Sequence, residues 1–183
     1  MATVLVPLAE GCEELEAVTI IDLLRRAGIE VITAGLREGP VRASRDVVLV
    51  PDVGLDTALE RDYDMVVLPG GLPGADYLQE DARLGELLKR LADSGRFTAA
   101  ICAAPKVLAS HGLLDGKRAT AYPGVLELGD WPAIELTGEA VVRDGQVITS
   151  RGPGTAMDFA LELVEALTDR ETREAVEQGL VRN

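Results

Sequence analysis

The sequence predicts a three-layer α/β sandwich built on a mostly parallel sheet. Three observations carry this expectation. Short, wholly apolar runs such as MVVLP (Met65 to Pro69) alternate with helical segments from one end of the chain to the other. Such runs suit strands buried on both faces, which is the environment of a parallel sheet covered by helices. No repeat, linker or low-complexity tract interrupts the alternation, so residues 1–183 read as one domain.

In order, Thr3 to Leu8 is a β-rich run that ends near the turn residue Gly11. Glu13 to Ala27 has helical spacing, with Leu15, Val18, Ile21 (or Ile20) and Leu24 on one side. Acids fill its first turn, Arg25 and Arg26 its last, and Gly28 stops it, an order that suits the helix dipole. Glu30 to Leu36 is the next strand, and Val41 to Pro51 an extended stretch around Ser44, Arg45 and Asp46 that suits a hairpin. The Met65 strand runs into Gly70-Gly71, and Ala82 to Ala92 is an amphipathic helix closed by Ser94-Gly95. Phe97 to Ile101 is a strand and Ala104 to Ser110 a helix ended by His111-Gly112. After Lys117 to Tyr122 comes a less regular stretch holding Trp131. Val141 to Arg143 and Gln146 to Ser150 form a hairpin through Asp144-Gly145, and helices follow over Ala156 to Leu167 and on to about Gln178.

Composition narrows the function. Hydrophobic residues are 47% and charged residues 27%, the balance of a globular chain, with a net charge of −13 from 18 basic and 31 acidic side chains. That charge repels nucleic-acid backbones and anionic membranes, so neither is expected as a partner. No apolar run is long enough to span a bilayer, and Glu10, Glu13 and Glu14 fall where a signal peptide would be apolar. Two widely separated cysteines form no disulfide framework, which suits a reducing, cytoplasmic setting.

In an open parallel sheet ligands bind at the carboxyl ends of the strands. Four such ends carry unusual residues here: Gly11 with Glu13, Glu14 and Glu16; Gly70-Gly71; Cys102; and Arg151-Gly152-Pro153-Gly154. Cys102 stands where a strand gives way to a helix, and helix N–H groups there favour a thiolate of lowered pKa. The competing reading is a buried structural cysteine. His111, nine residues on, is separated by roughly 13 Å of helical rise and cannot be its base. A carboxyl group must then move protons, and Glu16, between Leu15 and Val18, lies nearest the buried side. The alternative is that all three acids only stabilise the helix start. Gly70-Gly71 could present N–H groups as half of an oxyanion hole, with Ala103 N–H as the other half, or form only a tight turn. The spacing is not that of a dinucleotide-binding loop. Arg151 to Gly154 suits an anion or a structural turn equally, and Cys12 is a core thiol or a resolving one.

The segments LAEGCEELEAVTIIDLLRRAGIEV, SRDVVLVPD, YDMVVLPGG, AAICAAP and TSRGPGTAMDFALELVEAL together resemble the ThiJ/PfpI superfamily. They fit the branch of the human parkinsonism-associated deglycase and its bacterial YajL-type relatives, over about residues 3 to 181. The resemblance implies a flavodoxin-like, class I glutamine amidotransferase-like fold, a homodimer, and no metal or organic cofactor. It places the reactive cysteine on Cys102, its hydrogen-bonding glutamate on Glu16, the Gly-Gly on Gly70 and Gly71, and arginines of the site or dimer interface on Arg26 and Arg45. The implied activities are glyoxalase or deglycase action on small aldehydes and glycated substrates, or redox sensing through a Cys102 sulfinate, or chaperone-like protection. The chain departs from the superfamily twice. Ala103 stands where protease-like members carry histidine, which argues against a peptidase. Tyr122 stands where the deglycase branch often has a histidine.

Overall fold

A computed structural model describes residues 1–126 and 130–182. In chain order the elements are β1 (Thr3–Leu8), α1 (Glu14–Arg26), β2 (Glu30–Gly35), β3 (Val41–Arg42), β4 (Val48–Leu49), β5 (Val53–Gly54), α2 (Leu55–Ala58), β6 (Met65–Leu68), α3 (Gly74–Glu80) and α4 (Ala82–Asp93). They continue with β7 (Phe97–Ile101), α5 (Pro105–Ser110), β8 (Arg118–Ala119), β9 (Glu135–Leu136), β10 (Val141–Asp144), β11 (Val147–Ser150), α6 (Ala156–Leu167) and α7 (Arg170–Gly179).

The main sheet has seven strands in the order β10-β11-β7-β6-β1-β2-β5. All neighbours pair in parallel except β10, which folds back antiparallel on β11 at the edge. The chain runs outward from β1 through β2 to β5, then returns to β6 on the other side of β1, so the switch in strand order lies between β1 and β6. That is where an open α/β sheet leaves a crevice at its carboxyl edge.

Burial on both faces explains the unbroken apolar strands. Along β1, Val4, Val6 and Leu8 join Ile20 and Leu24 of α1 and Phe159 and Leu163 of α6 in one core. Leu5 points the other way, into a second core with Leu84, Leu87 and Leu88 of α4 and Val107 and Leu108 of α5. Removing a fully buried leucine from either core costs about 2–5 kcal/mol.

The expected hairpins are both present, β3 with β4 as a separate antiparallel ribbon and β10 with β11. Two expectations need correction. In α1 the inward stripe is Glu16, Ala17, Ile20 and Leu24, whereas Leu15 is 50% and Val18 47% exposed. The helix is rotated toward Glu16 because that carboxylate is tied to the loop after β6, described below. The short helices α2 and α3 were not foreseen. Each is under two helical turns, and α3 begins at Gly74 directly after Pro73, so neither shows apolar periodicity. Lys117 to Tyr122 contributes only β8, paired in parallel with β9.

Candidate functional site

The loops after β1, β6, β7 and β11 meet at the carboxyl edge, as the sequence predicts. Gly70 C=O accepts from Glu13 N–H at 2.9 Å, and Ser150 C=O accepts from Cys102 N–H at 3.0 Å. Cys102 follows the last residue of β7 in a left-handed conformation, with φ +63°. That region is costly for a side chain with a Cβ, of order 1–3 kcal/mol, and persists only where the surroundings enforce it. Here they do: besides the Ser150 bond, Cys102 C=O accepts from Tyr122 N–H at 2.9 Å, and Ala104 N–H closes a turn onto Ile101 C=O at 3.0 Å. The elbow lifts the thiol off the sheet while leaving it 8% exposed.

Glu16 is fully buried, and its Oε2 accepts from Gly70 N–H at 2.8 Å. A Cβ on Gly70 would lie 2.6 Å from Cys102 Cβ, 2.8 Å from Glu16 Oε2 and 2.8 Å from Ile101 O. Only glycine lets thiol, carboxyl and strand end close on that point. Gly71 has φ +88°, and a Cβ there would strike Glu13 N at 2.4 Å and Gly11 O at 2.6 Å. The Gly-Gly is therefore a close-approach device between two site loops, beyond a simple turn.

Burial pushes Glu16 up to about 7, against the hydrogen bonds from Gly70 N–H and Cys102, and the negative charge of Glu13 adds to the rise. Cys102 is likewise pushed up to about 12, first by burial, then by the Glu16 charge and its hydrogen bond; Gly71 and Ala103 N–H groups oppose the rise. The expected lowering by a helix start is thus overturned. The helix α5 has six residues and begins with Pro105, which has no N–H to offer, so its dipole cannot offset burial beside a carboxylate. The two groups titrate as a pair. When Glu16 holds the proton, the repulsion vanishes and the carboxyl donates toward a thiolate that Gly71 and Ala103 N–H groups already face.

The other candidates separate cleanly. His111 caps the far end of α5, and its ring fills the space beside Gly85 of α4, where a Cβ would meet Cε1 at 2.6 Å. Burial and the Lys89 charge hold it below the ordinary histidine range. Cys12 is fully buried in the loop after β1, and burial followed by the Glu14 charge pushes it up to about 12. The Arg151 guanidinium donates to Gly138 C=O at 2.8 Å, and Thr155 Oγ1 accepts from Gly152 N–H at 3.2 Å. That segment is a self-bonded turn. Arg26 lies at the opposite end of α1 from Glu16, paired with Asp22 at 2.7 Å. Arg45 sits in the β3–β4 turn, its N–H donating to Glu14 Oε1 at 2.8 Å, while Ser44 Oγ reaches Glu14 Oε2 at 2.9 Å. The hairpin is thereby clipped to the start of α1 at Glu14, two residues from Glu16. Neither guanidinium is bound to the Cys102–Glu16 pair within one chain.

Sequence reasoning left the role of Tyr122 open, and the structure bonds its N–H to the Cys102 carbonyl. A cavity of about 530 Å³ lies elsewhere, over the ends of β1 and β2 and lined by Glu10, Arg37, Tyr77 and Arg83. Among the described residues no group of three or more His, Cys, Asp or Glu side chains is arranged to hold a metal ion. None of their helices is long and apolar enough to cross a membrane.

A flavodoxin-like α/β layer structure with a strained cysteine elbow facing a buried glutamate defines a class of protein. The family model described as the DJ-1/PfpI family matches residues 2–166, and the chain belongs to that family. It is 45% identical over 180 residues to Protein dj-1beta of Drosophila melanogaster, covering 97% of this chain and 95% of that protein. It is 39% identical over 166 residues to the Glutathione-independent glyoxalase DJR-1.2 of Caenorhabditis elegans, covering 91% and 88%. The solved structure of oxidized Toxoplasma gondii DJ-1 superposes with a TM-score of 0.94 at 40% identity, covering 99% of this chain and 98% of that one.

Proposed function

We propose that this protein is a cysteine-dependent, cofactor-free enzyme that converts small reactive dicarbonyls, or their adducts on amines, in protection against carbonyl and oxidative stress. The observation that carries the reading is the fully buried Glu16 carboxyl closed against Cys102 at Gly70. A family relative named as a glutathione-independent glyoxalase supports it.

The chemistry balances without an outside oxidant. The Cys102 thiolate adds to the aldehyde carbon of a 2-oxoaldehyde, forming a C–S bond while the carbonyl π pair moves to oxygen. The oxygen is held by Gly71 and Ala103 N–H groups and takes the proton from Glu16. Glu16, now a carboxylate, removes the hydrogen on that carbon and returns it to the neighbouring carbonyl carbon. The hydroxyl proton on the first carbon's oxygen passes through the same carboxylate to the oxygen of the second carbon, so the first carbon is oxidised to a thioester and the second reduced to an alcohol. Water cleaves the C–S bond, releasing a 2-hydroxy acid and the thiol. A carboxyl poised near 7 is suited to both directions of transfer. Lactate formation from methylglyoxal should be lost in Cys102→Ala and collapse in Glu16→Gln; unchanged rates in either sink the scheme.

A second reading uses the same donors. Gly71 N–H, Ala103 N–H and a protonated Glu16 around one sulfur suit a Cys102 sulfinate, and a family member has been solved in an oxidized state. Intact mass after mild peroxide separates the two: a stable gain of two oxygens with negligible turnover marks a sensor.

The exposed apolar residues Leu15 and Val18 on α1, with Val47, Val48 and Val50 on the clipped hairpin, suit a surface covered by a second copy of the chain. The homodimer would bring in the partner arginines, and Val48→Asp should shift the mass in solution to the monomer. With both thiols unpaired, the setting is a reducing one, the cytoplasm.

A further inference from the structure

We propose that Tyr122 is a specificity-determining residue of the Cys102 site, its ring walling the approach to the thiol and favouring aldehydes with a flat aromatic substituent. The inference rests on the reading of Cys102 as the nucleophile. The chain has three tyrosines, and their surroundings differ. Tyr63 is buried in the core, with its hydroxyl on Ala58 C=O at 2.8 Å. Tyr77 carries the Arg37 guanidinium 6.0 Å from its ring centre. Tyr122 is 51% exposed yet fixed at both ends of its residue. Its N–H donates to Cys102 C=O at 2.9 Å, so its backbone cannot drift from the elbow. Its ring lies on Gly152, where a Cβ would come within 3.4 Å of Cδ2 and 3.9 Å of Cε2. Glycine there leaves room for that edge of the ring against the turn after β11, and the turn is itself held by Thr155.

The Cδ2–Cε2 edge of the ring therefore rests against Gly152, while half of the residue stays exposed on a loop bonded to Cys102, itself only 8% exposed. In this proposal a molecule approaching Cys102 meets that ring. Aromatic pairs gain stabilisation beyond simple burial when the rings can offset-stack or meet edge to face. A small aliphatic aldehyde gains little from such a wall, whereas an aryl group beside the reacting carbonyl gains roughly threefold to tenfold in rate.

The test compares reagents in pairs on the full chain. Cys102 alkylation by iodoacetanilide and by iodoacetamide is followed by intact mass, with Cys102→Ala as the background. The kcat/KM values for phenylglyoxal and methylglyoxal are measured alongside. In the unsubstituted protein both aryl-to-small ratios should exceed those in Tyr122→Ala by roughly threefold to tenfold. Tyr122→Phe, which keeps the ring, should hold them within about twofold. Tyr122→Leu keeps the bulk without the ring and should lose the preference, and it replaces Tyr122→Ala should that variant not fold. Unchanged ratios in Tyr122→Leu or Tyr122→Ala overturn the proposal. Absence of turnover with any dicarbonyl overturns the enzymatic reading instead, and the alkylation ratio still decides the role of Tyr122.

Discussion

The two cysteines occupy loops of the same sheet edge and differ in almost everything but burial. Burial pushes each thiol up to about 12, and each has a glutamate as the second cause. The glutamates, however, are in opposite states. Beside Cys12, Glu14 is held below the usual carboxylate range, where hydrogen bonds from its own N–H, Ser44 Oγ and Arg45 N–H outweigh the cost of its burial. Its charged form is favoured, and that charge raises the Cys12 thiol further. Beside Cys102, Glu16 is pushed up to about 7 and can hold a proton. A neighbour that surrenders its charge turns a suppressed thiol into a usable one, and Gly71 and Ala103 N–H groups complete the change. Cys12 has no opening to solvent, whereas Cys102 has one. On the proposed function, reactivity at this edge is set by the partner's protonation and by access, not by burial.

That contrast can be broken or sharpened by substitution. The largest effect is expected in Cys102→Ala, which should reduce 2-hydroxy acid formation by about three orders of magnitude or more in steady-state kinetics. Glu16→Gln keeps the acceptor for Gly70 N–H but cannot move a proton. It should lower kcat by about a hundredfold to a thousandfold, and it should abolish any kinetic pKa near neutrality. A third expectation concerns stability. Glu16 binds its proton more tightly folded than unfolded, so the folded state holds more protons between about pH 4.5 and 7. Stability from this group is fully present below about 4.5 and falls as pH rises through about 7, by roughly 3 kcal/mol in all. Denaturant midpoints of Glu16→Gln should lack that fall, and an equal slope in both proteins would remove the buried carboxyl as its source. Gly70→Ala should cost about 1–3 kcal/mol, because a Cβ there meets Cys102, Glu16 and the Ile101 carbonyl at once. Calorimetry should show that loss together with slower Cys102 alkylation. The smallest effect is expected in Cys12→Ala, with turnover changed by less than about twofold; a larger loss would place Cys12 in the reaction and dissolve the comparison.

Much of the frame was legible in the residues. The strands β1, β6 and β7 are buried on both faces, so their composition betrays them, and β7 falls on Phe97–Ile101 as expected. The helices α1 and α6 are long enough for caps and periodicity to show. The helix α3 was not, because its seven residues, beginning at Gly74 itself, carry no period to read. The inward face of α1 was misjudged for an instructive reason. Apolar spacing favours Leu15 and Val18, but the hydrogen bond from Gly70 N–H to Glu16 turns a carboxylate inward and leaves those two residues outside. The position of Cys102 on a strand-to-helix elbow was readable; its raised rather than lowered pKa was not, since that depends on burial and on a carboxylate 86 positions away in the chain.

Local sequence by itself determined the alternation of strands and helices, the hairpin at Asp144-Gly145, the elbow at Cys102 and the exclusion of His111 as its base. These follow from short-range periodicity, turn chemistry and helical rise, which need no knowledge of distant neighbours. Only the tertiary structure decided that Glu16 is sealed against Gly70, that Gly71 and Ala103 N–H groups face one sulfur, and that Tyr122 N–H is bonded to the Cys102 carbonyl. Those relations join loops after different strands. Charge and proton affinity there are set by what folding removes from water and brings within hydrogen-bond reach, and no single segment carries that information.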